Sequence, residues 1–321
     1  MTDRIAFRAA LQRIREAYAS GNAETLLGSL DDASACCRTL RTSLATLEAV
    51  YPLHAFLRFA EELDREIEGY GLREGCRKVF DRSAMGWEHD VPDSCREIAE
   101  DRPVVFFGNH PSLLTPFLVA AALERSDLRC FTTSYACRLI PSFGRLSYPM
   151  EVPLTRSWTE WRRGGWKRVL AHRLAALVHD VPSADRAKAI NRQGLDRGAN
   201  HVRTGGGVMI FPTGGGERDN HWYPGIGALV KRLRDGPRWQ QIYLVPVREE
   251  NCSNRRLYAE LSDNRVSRLK RAIRYRGPVR IALADPIPLN EIASQRTSIE
   301  QIVALLRQRY EALFAKPVLE T

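Results

Sequence analysis

From about residue 83 onward the chain alternates short β-rich runs with helical stretches, and that alternation constrains its fold more than any other feature. The runs are Val104–Phe107, Cys130–Ser134, Met150–Leu154, Val208–Phe211, Ile242–Val247 and Val279–Leu283. Parallel neighbours need a crossover between them, usually a helix, so strands separated by helical segments predict helices layered on a buried sheet. Residues 83–321 are therefore expected to form a mixed α/β domain with a mostly parallel central sheet flanked by helices. The first 82 residues read differently. Phe7, Leu11, Ile14 and Tyr18 share one helical face, followed by Leu40, Leu44 and Leu47, then by Phe56, Ala60, Leu63, Ile67 and Tyr70. They predict an all-helical N-terminal extension without chemistry of its own. Ile299, Ile302, Val303, Leu306, Tyr310 and Leu313 predict a closing structural helix.

Of the 321 residues, 44% are hydrophobic and 27% charged, which excludes disorder, collagen and coiled coil as the main architecture. The longest strongly apolar stretch, Leu113–Leu123, falls short of the roughly 20 residues a spanning helix needs, and Pro116 interrupts it. The N-terminus lacks the pattern of a secretory signal. Seven cysteines, an odd number without a C-x-x-C pair, argue against a disulfide framework or a zinc knuckle. A cytoplasmic location is expected, with peripheral contact to the inner face of a membrane as its variant. Residues 1–82 carry 12 Lys+Arg against 13 Asp+Glu, and the remainder 36 against 25, so the net charge of +10 arises in the second part. Such a basic excess suits anionic partners.

Two segments carry candidate chemistry. The strand at 104–107 runs into Gly108-Asn109-His110-Pro111-Ser112-Leu113-Leu114-Thr115. Pro111 suits a first helical position, which would put His110 at a helix entrance beside a strand end, where α/β proteins place reactive groups. The second segment runs from Gly205-Gly206-Gly207 through a strand to Phe211-Pro212-Thr213-Gly214-Gly215-Gly216-Glu217. Glycines without Cβ atoms let backbone N–H groups converge on an anion. Neither a P-loop nor a dinucleotide-binding glycine pattern is present, so nucleotide binding is not expected.

Together these segments resemble the glycerophosphate and lysophospholipid acyltransferase superfamily, in order, over roughly residues 83–290. Asn109-His110-Pro111-Ser112 is similar to the first block, N-H-x-[ST]-x-x-D, in which the resemblance makes His110 the general base that deprotonates the acceptor. Leu139–Gly144 through Pro153-Leu154-Thr155-Arg156 resembles the second block, whose terminal Arg, here Arg156, holds the acceptor phosphate. Phe211-Pro212-Thr213-Gly214 resembles the third, F-P-E-G-T-R-S, and Leu244-Val245-Pro246-Val247 the fourth, with Asp285-Pro286-Ile287 as the closing turn. Two positions depart from the pattern. The motif Asp is Thr115, making it the altered dyad position, and the third block has Thr213 for Glu and Gly215 for Arg. Three explanations stay open: Glu217 or another carboxylate takes the Asp's place, the acceptor is an amine, or the fold persists without the activity.

The resemblance implies transfer of an acyl group from acyl-CoA or an acyl carrier protein to a hydroxyl or amine, with no other cofactor and no metal. Asn109, Ser112, Arg156, Phe211, Pro212, Thr213, Gly214, Gly215, Gly216 and Glu217 are the expected substrate-binding residues. The alternative is a non-enzymatic module on the same fold that binds lipid or a carrier protein. Residues 157–182 combine Trp158, Trp161 and Trp166 with five basic side chains, and residues 255–280 hold nine Lys+Arg. The first could lie on an anionic membrane or contact an acidic carrier, or else pack its apolar stripe on its own core; the second could bind phosphates of a pantetheine carrier, a lipid or a nucleic acid, or else be a solvated face. No nucleic-acid motif accompanies the charge, so nucleic acid is not an expected partner.

Overall fold

The computed structural model describes residues 2–21, 23–50, 52–83, 85–151, 182–213, 222–261, 277–294 and 296–314. The architecture is mixed α/β, with an eight-stranded, mostly parallel sheet, flanking helices and an N-terminal helical segment. The strands are β1 (Trp87–Asp90), β2 (Val104–Gly108), β3 (Arg129–Thr133), β4 (Ser147–Met150), β5 (Gly207–Ile210), β6 (Tyr243–Glu250), β7 (Val279–Leu283) and β8 (Ile287–Pro288). Their order is β1-β7-β6-β2-β5-β3-β4, with β8 on β6. Two compact units make up the chain, residues 1–85, 132–191 and 254–276 in the first, and 86–131, 192–253 and 277–321 in the second.

In the first unit, the helices Thr2–Ser20 and Ala23–Cys36 bury Ala10, Ile14, Ala17, Tyr18, Leu26, Leu30 and Ala33 in one cluster, with Phe7 packed against it. The expected face of Leu53–Tyr70 is buried at Phe56, Ala60, Leu63 and Ile67. Tyr70 departs from it: the ring is 58% exposed, with the Lys78 ammonium over its face. Gly75 lets Leu72–Arg82 approach that helix, because a Cβ there would stand 2.6 Å from the Glu66 carbonyl. β4 follows β3 in the sheet order, and Thr132 and Thr133 at the end of β3 belong with it to this unit. β4 ends at Met150, where a strand over 150–154 was expected; residues 152–154 lie outside the described residues.

The second unit is built around β2, whose five residues are all buried between parallel partners β5 and β6. β1 and β3 are parallel to β7 and β5, while β7 and β8 run antiparallel to β6. A strand buried on both faces reads as a continuous apolar run, which is why Val104–Phe107 is legible. β1 is an exposed polar edge strand without such a run. Helix Thr115–Ala122 is buried on every side. Its start corrects the expected entrance at Pro111. Pro116 has no N–H to bond the carbonyl four residues back, which disfavours a helix running from 111 through 116, and residues 112–115 form a turn instead, closed by the Thr115 N–H to the Ser112 carbonyl at 3.3 Å.

Gly205–Gly207, the glycine flank at the entry to β5, answers to packing. Gly205 takes φ +103, and Cβ atoms at Gly206 and Gly207 would collide with the His201 and Arg125 side chains. Arg125 is itself buried, with its guanidinium donating to the carbonyls of Ala99, Arg102 and Gly205 and paired to Asp127. That charge is fully engaged in joining the loops at the strands' entry ends.

Candidate functional site

Because β5, β2 and β6 run parallel, their carboxyl ends lie on one edge of the sheet, with β2 in the middle. From β2 the chain moves to β3 beyond β5, whereas from β5 it crosses β2 to reach β6. Such a reversal of winding leaves a crevice at the strand ends, where open α/β sheets bind ligands. Gly108-Asn109-His110, Phe211-Pro212-Thr213 and Glu249-Glu250 all issue from that edge. Gly108 is dictated by geometry: a Cβ would lie 1.7 Å from the Val247 carbonyl oxygen.

His110 lies against the third sequence block. Its ring stacks on Phe211, with centroids 5.1 Å apart and planes at 27°, and its backbone N–H donates to Thr213 Oγ1 at 3.1 Å. Phe211, Pro212 and Thr213 are buried, and Pro212 accepts a hydrogen bond from the Tyr223 N–H. Burial pushes the imidazole down to about 4, so it is neutral at physiological pH, while the residue keeps partial exposure. Its Nδ1 is buried and has no hydrogen-bond partner among the described residues.

Thr115, the altered dyad position, is fully buried and is not among the partners of that nitrogen. Its hydroxyl lies 2.9 Å from the Ser112 carbonyl and 2.5 Å from Glu249 Oε2. Ser112, expected to touch substrate, is 2% exposed and donates to the same carboxylate oxygen at 3.1 Å. The other oxygen, Oε1, accepts the Ser253 N–H at 2.6 Å, and the Ser253 hydroxyl is hydrogen-bonded to that of Ser112. Asn109 closes the assembly from the other side of His110. Its Oδ1 accepts the Glu249 N–H at 2.8 Å and its Nδ2 donates to the Glu249 carbonyl at 3.0 Å. Burial raises the Glu249 carboxyl above its ordinary range, opposed by these donors.

Glu249 was not singled out from the sequence. It follows the fourth block by two residues on the same strand, and β6 runs three residues past the expected end at Val247. A glutamate at the end of an apolar strand, at a buried position of its alternating pattern, is the signal in the sequence. Tyr310 was read as structural, yet its hydroxyl accepts the Asn109 N–H at 3.4 Å. Its ring joins Trp222, Phe107 and Phe314 in an aromatic group behind the turn, and burial pushes its phenol up to about 12. Arg156, Gly214, Gly215, Gly216 and Glu217 lie outside the described residues, as do residues 157–181 of the tryptophan-rich segment and residues 262–276 of the basic stretch over 255–280.

These features define an α/β protein with a neutral histidine at the carboxyl end of its central strand, beside a buried carboxyl. No protein-family model matches the sequence, and no curated protein matches it. Among solved structures, the chain is similar to the 1-acyl-sn-glycerophosphate (LPA) acyltransferase PlsC from Thermotoga maritima, at 13% identity and a TM-score of 0.44. The match covers 86% of this chain and 93% of that one. Among the described residues no group of His, Cys, Asp and Glu is arranged to hold a metal ion, and no helix is long and apolar enough to cross a membrane.

Proposed function

We propose that the protein is an acyltransferase in which His110 removes a proton from a hydroxyl or amine acceptor as that acceptor attacks an acyl thioester, acyl-CoA or acyl carrier protein. The observation that carries this reading is the junction of His110 with Phe211-Pro212-Thr213 at the carboxyl edge of the sheet. Two sequence blocks about 100 residues apart meet there, in the order in which acyltransferase blocks occur.

The chemistry follows from what each part supplies. Acyl transfer needs an unprotonated base, and burial keeps the imidazole neutral. As the acceptor's O–H or N–H bond breaks, the proton passes to His110, and the electron pair forms the new bond to the thioester carbon. The tetrahedral oxyanion needs donors, for which the backbone after Thr213 is the candidate. Collapse breaks the C–S bond, and His110 returns the proton to the leaving thiolate. Arg156 is the candidate for an anionic part of the acceptor, and a peripheral membrane position would bring lipid acceptors within reach.

The test is to incubate the purified protein with a panel of acyl thioesters and a cell metabolite extract, followed by mass spectrometry, in wild type and His110→Ala. Acylated product from wild type alone supports the reading. Thioester binding without consumption by either protein favours the non-enzymatic carrier- or lipid-binding module, and thioester loss independent of any acceptor indicates a thioesterase.

A further inference from the structure

We propose that Glu249 is the carboxylate of this site, a positioning residue that pins the His110 turn on both sides and so fixes how the imidazole is presented for proton transfer. Asn109 precedes His110, Ser112 and Thr115 follow it, and all three are hydrogen-bonded to Glu249. Of the conformations open to this turn, the bonds to Glu249 select one. A carboxylate is what such a cluster is built to hold, because hydroxyls from Ser112 and Thr115 and the N–H of Ser253 converge on its two oxygens. Thr115, standing where an orienting carboxylate would be expected, instead bonds to one that arrives from another strand. This inference rests on the acyl-transfer reading for the source of the proton, which moves from acceptor to His110 and on to the leaving thiolate; Glu249 itself exchanges none.

The charge has little local competition. Arg248 and Glu250 flank Glu249 on β6, where side chains alternate between faces, and they are paired with each other at 3.6 Å. On β7, Ile281 lies opposite Glu249, while Arg280 is paired with Asp90. Tyr310 reaches the turn through its phenol, and Cys95 belongs to a helix that packs on β6. Burial pushes both groups up to about 12, so they are neutral. Cys252 lies beside the turn, its thiol 3.7 Å from the Pro111 carbonyl. Because His110 is already neutral above about 4, the reactive state forms when Glu249 ionises, above the ordinary carboxylate range.

The experiment is the pH dependence of carbethoxylation of His110 by diethyl pyrocarbonate, read by peptide mass, with acyl transfer followed in parallel. In the wild type the rate should rise with pH along a limb set by Glu249. Glu249→Gln should abolish that limb and slow modification at pH 8 at least tenfold, and in acyl transfer should lower kcat while leaving KM within about twofold. Ser112→Ala, which removes one donor to the carboxylate, should move the limb to higher pH. A wild-type limb and rate in Glu249→Gln overturn the inference. If that variant fails to fold by circular dichroism, an unmoved limb in Ser112→Ala overturns it. Loss of the limb in Glu249→Gln, when the wild type shows the limb but transfers no acyl group, refutes the acyl-transfer reading and leaves the coupling between Glu249 and His110 standing. Transfer by Glu249→Gln with an unchanged pH profile does the reverse.

Discussion

His110 and Glu249 are shifted in opposite directions by the same cause: burial disfavours the cation of one and the anion of the other. Their effects on stability therefore have opposite signs. The folded value of His110, about 4, lies below the roughly 6.5 of the unfolded chain, so the unfolded state binds more protons between the two. The contribution of His110 thus makes stability fall as pH drops from about 6.5 to 4, and it is flat above 6.5. For Glu249 the folded value is raised, so its contribution falls as pH rises through the weakly acidic range. Urea midpoints of wild type and His110→Gln across this range isolate the first effect: the difference between them should shrink as pH falls, and a constant difference would refute it. Gly108 is a steric prediction. Gly108→Ala forces a Cβ into the Val247 carbonyl and must part β2 from β6, at a cost of about 3 kcal/mol or more, measurable by denaturant unfolding.

At the scale of elements, the last helix, Ile299–Leu313, connects stability to the site. Ser298 opens it with a capping box, accepting the Gln301 N–H at 3.3 Å while the Gln301 side chain accepts the Ser298 N–H at 2.8 Å. Ser298→Ala should cost about 1 kcal/mol in thermal or chemical unfolding. Tyr310→Phe keeps the aromatic packing and removes one acceptor from the Asn109 N–H, so it should cost about 1 kcal/mol and slow carbethoxylation of His110, with the fold intact by circular dichroism. The sequence announces the central strands because burial on both faces writes them as continuous apolar runs. It announces His110 through its neighbours in the chain. Helix Thr115–Ala122 was readable as apolar, but its start was misplaced, because Pro111 and Pro116 both suit a first turn and only Pro116 occupies one. A short polar strand such as β1 and a two-residue one such as β8 leave no periodic trace. Glu249 could not be paired with Thr115, since 134 residues separate them and the register of β6 against β2 brings them together.

Over the whole molecule, the second unit follows one plan: parallel strands deliver three loops to one edge, and the charge buried at the opposite edge, Arg125, is spent on backbone carbonyls. Binding at the carboxyl edge should therefore stabilise the folded chain by mass action. An acyl thioester at a hundred times its Kd should add about 2.7 kcal/mol, visible as a rise in Tm that His110→Ala retains, because that substitution removes the base and leaves the strands in place. The measurement that tests the central claim most directly is the rate of thiol release from an acyl thioester in the presence of its acceptor, for wild type and for His110→Ala shown to be folded. A base that takes the acceptor's proton predicts a loss of about a hundredfold or more with binding preserved. Release by His110→Ala within threefold of the wild-type rate would contradict the account.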